Sequence, residues 1–180
     1  MENRPDAYWL LRSRAEQALE APASVEPREP LHGCRPLLRL WHYPSFSPWT
    51  TWMVFEQPAD AHALMVRRVI WDNPHDHGRF SDPLEGVRQG FFAPPSLTVD
   101  DARTTRKALQ PYLRELRAQP IPVLILRPAI GLDGETFGFQ NHASSDTIRL
   151  EWWCDGPKEW RPLIKAVGRM RDFLDSLFQE

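Results

Sequence analysis

The sequence predicts an α+β fold, a mainly antiparallel sheet of about five or six strands with an N-terminal, a middle and a C-terminal helix packed against it. Three observations carry that expectation. The runs Leu37 to Tyr43, Trp49 to Gln57 and His62 to Trp71 are rich in β-branched and aromatic residues and are joined by connections of hairpin length. Apolar residues recur at three- and four-residue spacing near both ends of the chain, the mark of helices with one buried face. The 18 prolines fall mostly between these segments rather than in one tract, so they punctuate the fold. At 180 residues, 42% hydrophobic and 26% charged, the chain should form one domain. Residues 1–35 supply a helix and a proline-rich connector, and 36–180 the sheet and the remaining helices.

The elements follow in order. Asn3 and Pro5 suit a helix start, and Tyr8, Leu11, Ala15, Ala18 and Leu19 then share one face, predicting about four turns. Ala21 to Pro36 holds four prolines and is expected to be extended, carrying His32 and Cys34. Of the three strands after it, the second should be central. Trp52, Val54 and Glu56 face one way while Thr51, Met53 and Phe55 face the other, so both sides are largely apolar. Asp72 to Leu97 has no clear period and reads as a long loop. Thr98 and Asp101 resemble a capping box for a middle helix striped by Leu109, Tyr112, Leu113 and Leu116, with Pro111 bending or splitting it. Ile121 to Leu126 reads as a short buried strand, with Pro122, which lacks an N–H, restricting it to an edge or to a strand start. Asp133-Gly134 turns into a strand from Glu135 to Asn141, and Asp146 to Cys154 alternates as a half-buried partner. The last helix, within Pro157 to Phe178, is the most regular: Leu163, Val167, Met170 and Leu174 repeat at three and four, and Pro162 lies in its first turn.

Composition excludes more than it assigns. A net charge of -2 gives no electrostatic footprint for nucleic acid or an anionic membrane. Arg12 and Arg14 interrupt the first apolar stretch, so no export signal is read, and no apolar run approaches the ~20 residues of a membrane helix. A cytoplasmic location is the expectation. The 2 cysteines, Cys34 and Cys154, lie far apart without metal-binding spacing and read as free thiols. No GxSxG, GxGxxG or P-loop is present, and the 9 glycines are scattered, so neither a hydrolase elbow nor a phosphate cradle is expected.

The polar cluster Asp72, His75, Asp76, His77 and Arg79 is the most conspicuous chemistry. Paired imidazoles suit zinc or iron if His42, His62, Asp72 or His142 complete the site, which makes a metal-dependent enzyme or small-ligand protein the alternative function. Read as a polar turn, the same residues offer a binding loop, and no cofactor is assigned. Glu56, Asp72, Glu135 and Glu151 lie on or near strands as possible acid–base partners, although separation along the chain brings no two together. Of the 8 tryptophans, Trp41, Trp52, Trp71 and Trp160 occupy core positions. Trp49 and Trp153 are left as candidates for contact with a partner. Arg67 and Arg68 point to opposite sides of their strand, where Glu56 or Asp72 could pair with one of them.

Two stretches carry a resemblance: LLRLWHYPSFSPWTTWMVF followed by VRRVIWD, and LDGETFGFQ through IRLEWWCDGPKEWRPL. The second, with its DG turn, its strand ending in Trp152-Trp153 and the helix start at Pro157 to Trp160, resembles C-terminal segments of bacterial domains of unknown function. Some of these are similar to immunity proteins of bacterial toxin systems. The resemblance implies a bacterial α+β protein that binds another protein, and it carries over no catalytic residue. The expected function is therefore a non-enzymatic, immunity-like interaction module that binds a partner protein through residues 72–95 and neighbouring aromatic side chains.

Overall fold

A computed structural model describes residues 7–25, 31–58, 60–81, 93–120, 133–142 and 147–179. Helix α1 (Ala7–Glu20) leads through a 3-10 turn (Pro22–Ser24) to β1 (Arg35–Pro44), β2 (Trp49–Gln57) and β3 (Asp60–Trp71). Helix α2 (Asn73–Ser81), β4 (Leu97–Thr105) and α3 (Arg106–Arg117) follow, then β5 (Glu135–His142), β6 (Thr147–Trp153) and, after a 3-10 turn (Lys158–Trp160), α4 (Arg161–Ser176). The six strands form one antiparallel sheet in the order β4-β3-β2-β1-β5-β6. The expected α+β class holds, and β2 is an interior strand. The expected cap at Asn3 and Pro5 and the strand over Ile121 to Leu126 lie outside the described residues.

Three secondary-structure expectations fail, each for a local reason. The connector expected to be extended from Ala21 opens with a 3-10 turn, Pro22–Ser24, for which Pro22 presets the backbone. Residues 73–81 are helical, not a loop. Asp72 is the cap, its carboxylate accepting the His75 N–H at 3.1 Å, and Pro74 fits the first turn, where a backbone donor has no partner within the helix. Thr98 and Asp101 do not open a helix; they belong to β4, whose residues pair with β3 from Leu97 to Thr105. The cap of α3 is Thr105, which accepts the Ala108 N–H at 3.2 Å. Pro111 sits within α3 without splitting it.

The sheet has a helix-bearing layer on each face. On one, α3 and α4 pack Leu109, Leu116, Leu163, Val167, Met170 and Leu174 against Leu38, Leu40, Trp52, Val54, Leu64 and Val66. Each such side chain is worth roughly 1.5–3 kcal/mol relative to exposure. On the other, Leu11, Ala15 and Leu19 of α1 pack against Val69, Trp71 and Val99. This second face also holds two buried arginines. Arg67 forms a two-pronged bond to Asp101 (2.8 and 2.9 Å), and Arg39 pairs with Glu20. Arg68, on the opposite face, pairs with Asp100 at 2.9 Å and with Asp175 of α4 at 3.7 Å, so the carboxylate partners of Arg67 and Arg68 come from β4 and α4 rather than from Glu56 or Asp72. Gly138 of β5 lies beneath the Trp41 indole, which a Cβ there would meet at 1.8 Å. No described helix is long and apolar enough to cross a membrane.

Candidate functional site

One end of the α1-bearing face opens into a cleft of about 710 Å³. Its wall is assembled from six places in the chain: Tyr8 and Arg12 of α1, Tyr43 to Phe46 at the β1–β2 turn, Trp49 opening β2, Asn73, Pro74 and His77 of α2, Asp133 and Thr136 where β5 begins, and Trp153 where β6 ends. The spacing of Tyr8 and Arg12, one helical turn, puts both on the same side of α1. Ser45 ties the β1–β2 turn to the start of β5: its backbone N–H and its hydroxyl both donate to Gly134 O at 2.8 Å, and its Oγ accepts the Gly134 N–H at 3.0 Å.

The aromatic lining is held in place. Trp49 stacks on Tyr43 with centroids 4.7 Å apart, meets Trp71 edge-on at 5.0 Å, and donates its indole N–H to Pro44 O at 3.0 Å. Tyr8 donates to Asn73 Oδ1 at 2.6 Å and lies edge-on to His77 at 5.2 Å. Burial pushes the Tyr8 phenol up from its ordinary value; Arg12 opposes this and Asp76 and Glu16 reinforce it, so at neutral pH Tyr8 is a proton donor. The Arg12 guanidinium lies 5.1 Å from the Trp9 ring and 5.3 Å from the Trp49 ring, and its Nε donates to Glu16 at 2.8 Å.

Of the residues singled out from the sequence, Trp49, Trp153 and His77 meet in this cleft. The others serve elsewhere. Asp72 is the exposed cap of α2, and His75 is exposed. Asp76 is wholly buried; it accepts from Trp71 Nε1 (2.8 Å), from the Ser96 N–H (2.8 Å) and hydroxyl (2.7 Å), and pairs with Arg79 at 2.8 Å. Arg79 also donates to Pro94 O at 3.2 Å. Among the described residues no three His, Cys, Asp or Glu side chains come together to hold a metal ion. His42 lies on the opposite face, stacked on Phe137 and 2.9 Å from Glu135. His142 is beside Arg39, where burial and that positive charge lower its pKa. The candidate acid–base carboxylates are likewise dispersed. Glu56 pairs with Arg35 and Arg106, Glu135 with His42, and Glu151 with Arg149.

Comparisons with family models, curated proteins and solved structures find no significant match. The site is therefore defined by its own geometry. Most of its other members, Tyr8, Arg12 and Phe46 among them, and the neighbouring Trp9 escape the sequence reading as site residues. The signal for Phe46 is legible in hindsight: a phenylalanine inside Pro44-Ser-Phe-Ser-Pro48 sits on a turn, where no core can receive it.

Proposed function

We propose that this chain is a non-enzymatic cytoplasmic protein-interaction module whose partner docks on the aromatic cleft and its rim. One observation carries the reading. The two most exposed large apolar side chains among the described residues, Phe46 at 77% and Trp9 at 58%, flank the same cleft that holds Trp49 and Trp153. Exposed aromatic residues gathered at one place, around a cleft whose floor is already rigid, are what a binding hot spot requires. The rigid floor also limits the ordering cost of association. The resemblance to bacterial domains, some of them similar to toxin-immunity proteins, supports the same kind of partner, a folded protein gripped by a preformed surface. The reading moves the expected contact away from Asp72, Asp76 and Arg79, which hold α2 in place, and onto Trp9, Phe46, Trp49, His77 and Trp153.

The test is parallel affinity capture with the full chain and with Phe46→Ser and Trp9→Ser variants, alongside thermal unfolding. A partner that the wild type retains in stoichiometric amount, and that both variants lose with their melting temperature unchanged, is the expected result. Equal recovery by all three proteins overturns it.

A further inference from the structure

A second cavity, of about 430 Å³, lies on the other face of the sheet, between α4 and strands β1, β2, β5 and β6. Its lining is largely apolar and aromatic, with Trp52, Phe137 and Trp152 on the sheet side and Ile164 and Val167 on the helix. Its volume is that of a site for a small molecule.

Two features of this cavity need an explanation that packing does not supply. Gly168 sits in the middle of α4, where glycine is a poor helix former, and it lies on the stripe with Ile164 and Arg171 that faces the cavity. Its backbone is not left-handed, and a Cβ built on it would meet nothing within 4 Å, so neither conformation nor crowding calls for glycine there. What the missing side chain does is leave the space open. The second feature is the Trp152 indole. Trp152 is 5% exposed and lines this cavity, yet its Nε1 has no hydrogen-bond acceptor, whereas the neighbouring Trp52 donates its own to Asp175 at 2.9 Å. A buried donor without an acceptor is costly, and an acceptor brought by a ligand removes that cost.

We infer that the cavity beneath α4 binds a small planar aromatic molecule carrying one hydrogen-bond acceptor, which stacks among Trp52, Phe137 and Trp152 and accepts the Trp152 indole N–H. Aromatic walls favour a flat π-system in offset or edge contact, and Phe137 and Trp152 already lie within 15° of parallel, 6.1 Å apart. Of the charged side chains in the lining, Glu135 pairs with His42 and Arg171 with Asp172, while Asp155 adds a carboxylate where β6 leads to α4. Trp41, at the edge of the lining, has an orphaned Nε1 as well, but its ring lies against Arg39 and Arg149 on the α1-bearing side, so the Trp152 N–H is the donor taken to set the ligand's orientation. This site is independent of the partner-binding cleft, which lies on the opposite face.

Quinoline and naphthalene are matched probes, flat bicycles of which only quinoline carries an acceptor. Titration of the full chain is followed by the indole N–H resonances, with Trp152→Phe identifying the Trp152 signal. Quinoline is expected to shift that signal saturably and to bind more tightly than naphthalene by a factor of about 2 to 10, an advantage that Trp152→Phe removes. Gly168→Leu should weaken quinoline more than about tenfold by filling the space, while Gly168→Ala leaves it nearly unchanged. The inference is overturned if quinoline does not saturate, if it binds no more tightly than naphthalene, or if Gly168→Leu binds it as well as the wild type. Should Gly168→Leu fail to fold, the Trp152→Phe comparison decides alone.

Discussion

Asp76 places a carboxylate where no surface is exposed, and the donors around it come from three segments of the chain: Trp71 at the end of β3, Arg79 one turn further along α2, and Ser96 just before β4. That convergence is what fixes α2, and with it His77, beside Tyr8. Replacing Asp76 with Ala leaves a buried indole N–H and the Ser96 N–H and hydroxyl without their acceptor and takes from Arg79 its carboxylate partner, so Asp76→Ala is expected to cost about 3–5 kcal/mol in chemical denaturation. A loss below about 1 kcal/mol would mean that water takes over the carboxylate's role. The sequence shows Asp76 only as one polar residue among several, since burial and long-range partners leave no mark on local composition. Trp49 and Trp153 were easier to pick out, because alternation along a strand separates core from rim. Trp9 carries no such cue: the stripe of Tyr8, Leu11, Ala15 and Leu19 defines the buried side of α1 but does not show that the adjacent tryptophan stays 58% exposed.

At the scale of elements, period and punctuation decided what could be read in advance. β1, β2, β3 and α4 have both, with strong apolar repeats and prolines or glycines at their ends. β4 has neither. As an edge strand reading LTVDDARTT it needs few apolar residues, and its aspartates are there to meet Arg67 and Arg68 across the ladder. Thr98 and Asp101 imitate a capping box because the same residue types serve both purposes. α2 is short and polar, and a cap followed by Asn73-Pro74 is hard to tell from a turn. In α4 the cost of Gly168 belongs to the helix itself, whatever occupies the cavity. Gly168→Ala is expected to raise stability by about 0.5–1 kcal/mol in urea unfolding, since the added methyl meets no neighbour. A decrease would show that α4 needs the glycine for its packing.

Across the whole molecule, Glu20 joins the layers. At the end of α1 it pairs with Arg39 of β1 and receives both Arg149 amino groups of β6 at 3.2 Å, while the two guanidinium groups lie 4.7 and 4.8 Å from the Trp41 ring. Burial, the largest influence, pushes the Glu20 carboxyl up, but hydrogen bonds and charge from Arg39, then from Arg149, together hold it below the ordinary value of 4.5. The proton therefore binds more readily to the unfolded chain. The resulting stability is fully present above that ordinary value and is lost as pH falls through the lower folded value. Glu20→Gln should be less stable than the wild type at pH 7, with the gap closing as pH drops below about 4.5. Denaturation midpoints of both proteins across that range check this, and a gap independent of pH would contradict it.

The strand order also governs when the chain can complete itself. β1 to β3 pair with near neighbours, but β5 must find β1 from far along the sequence, Gly138 docking opposite Trp41, before β6 can add to it. Closing so long a loop is slow and comes after local pairing. Until then β1 presents a bare edge, the kind of template on which other chains can pair. Tyr43 and Trp49 belong to the early part and Thr136 and Trp153 to the late one, so the aromatic cleft does not exist on a nascent chain. A partner of the kind proposed, holding this cleft, would thereby distinguish finished molecules from unfinished ones, and its grip would favour the last step of folding over aggregation.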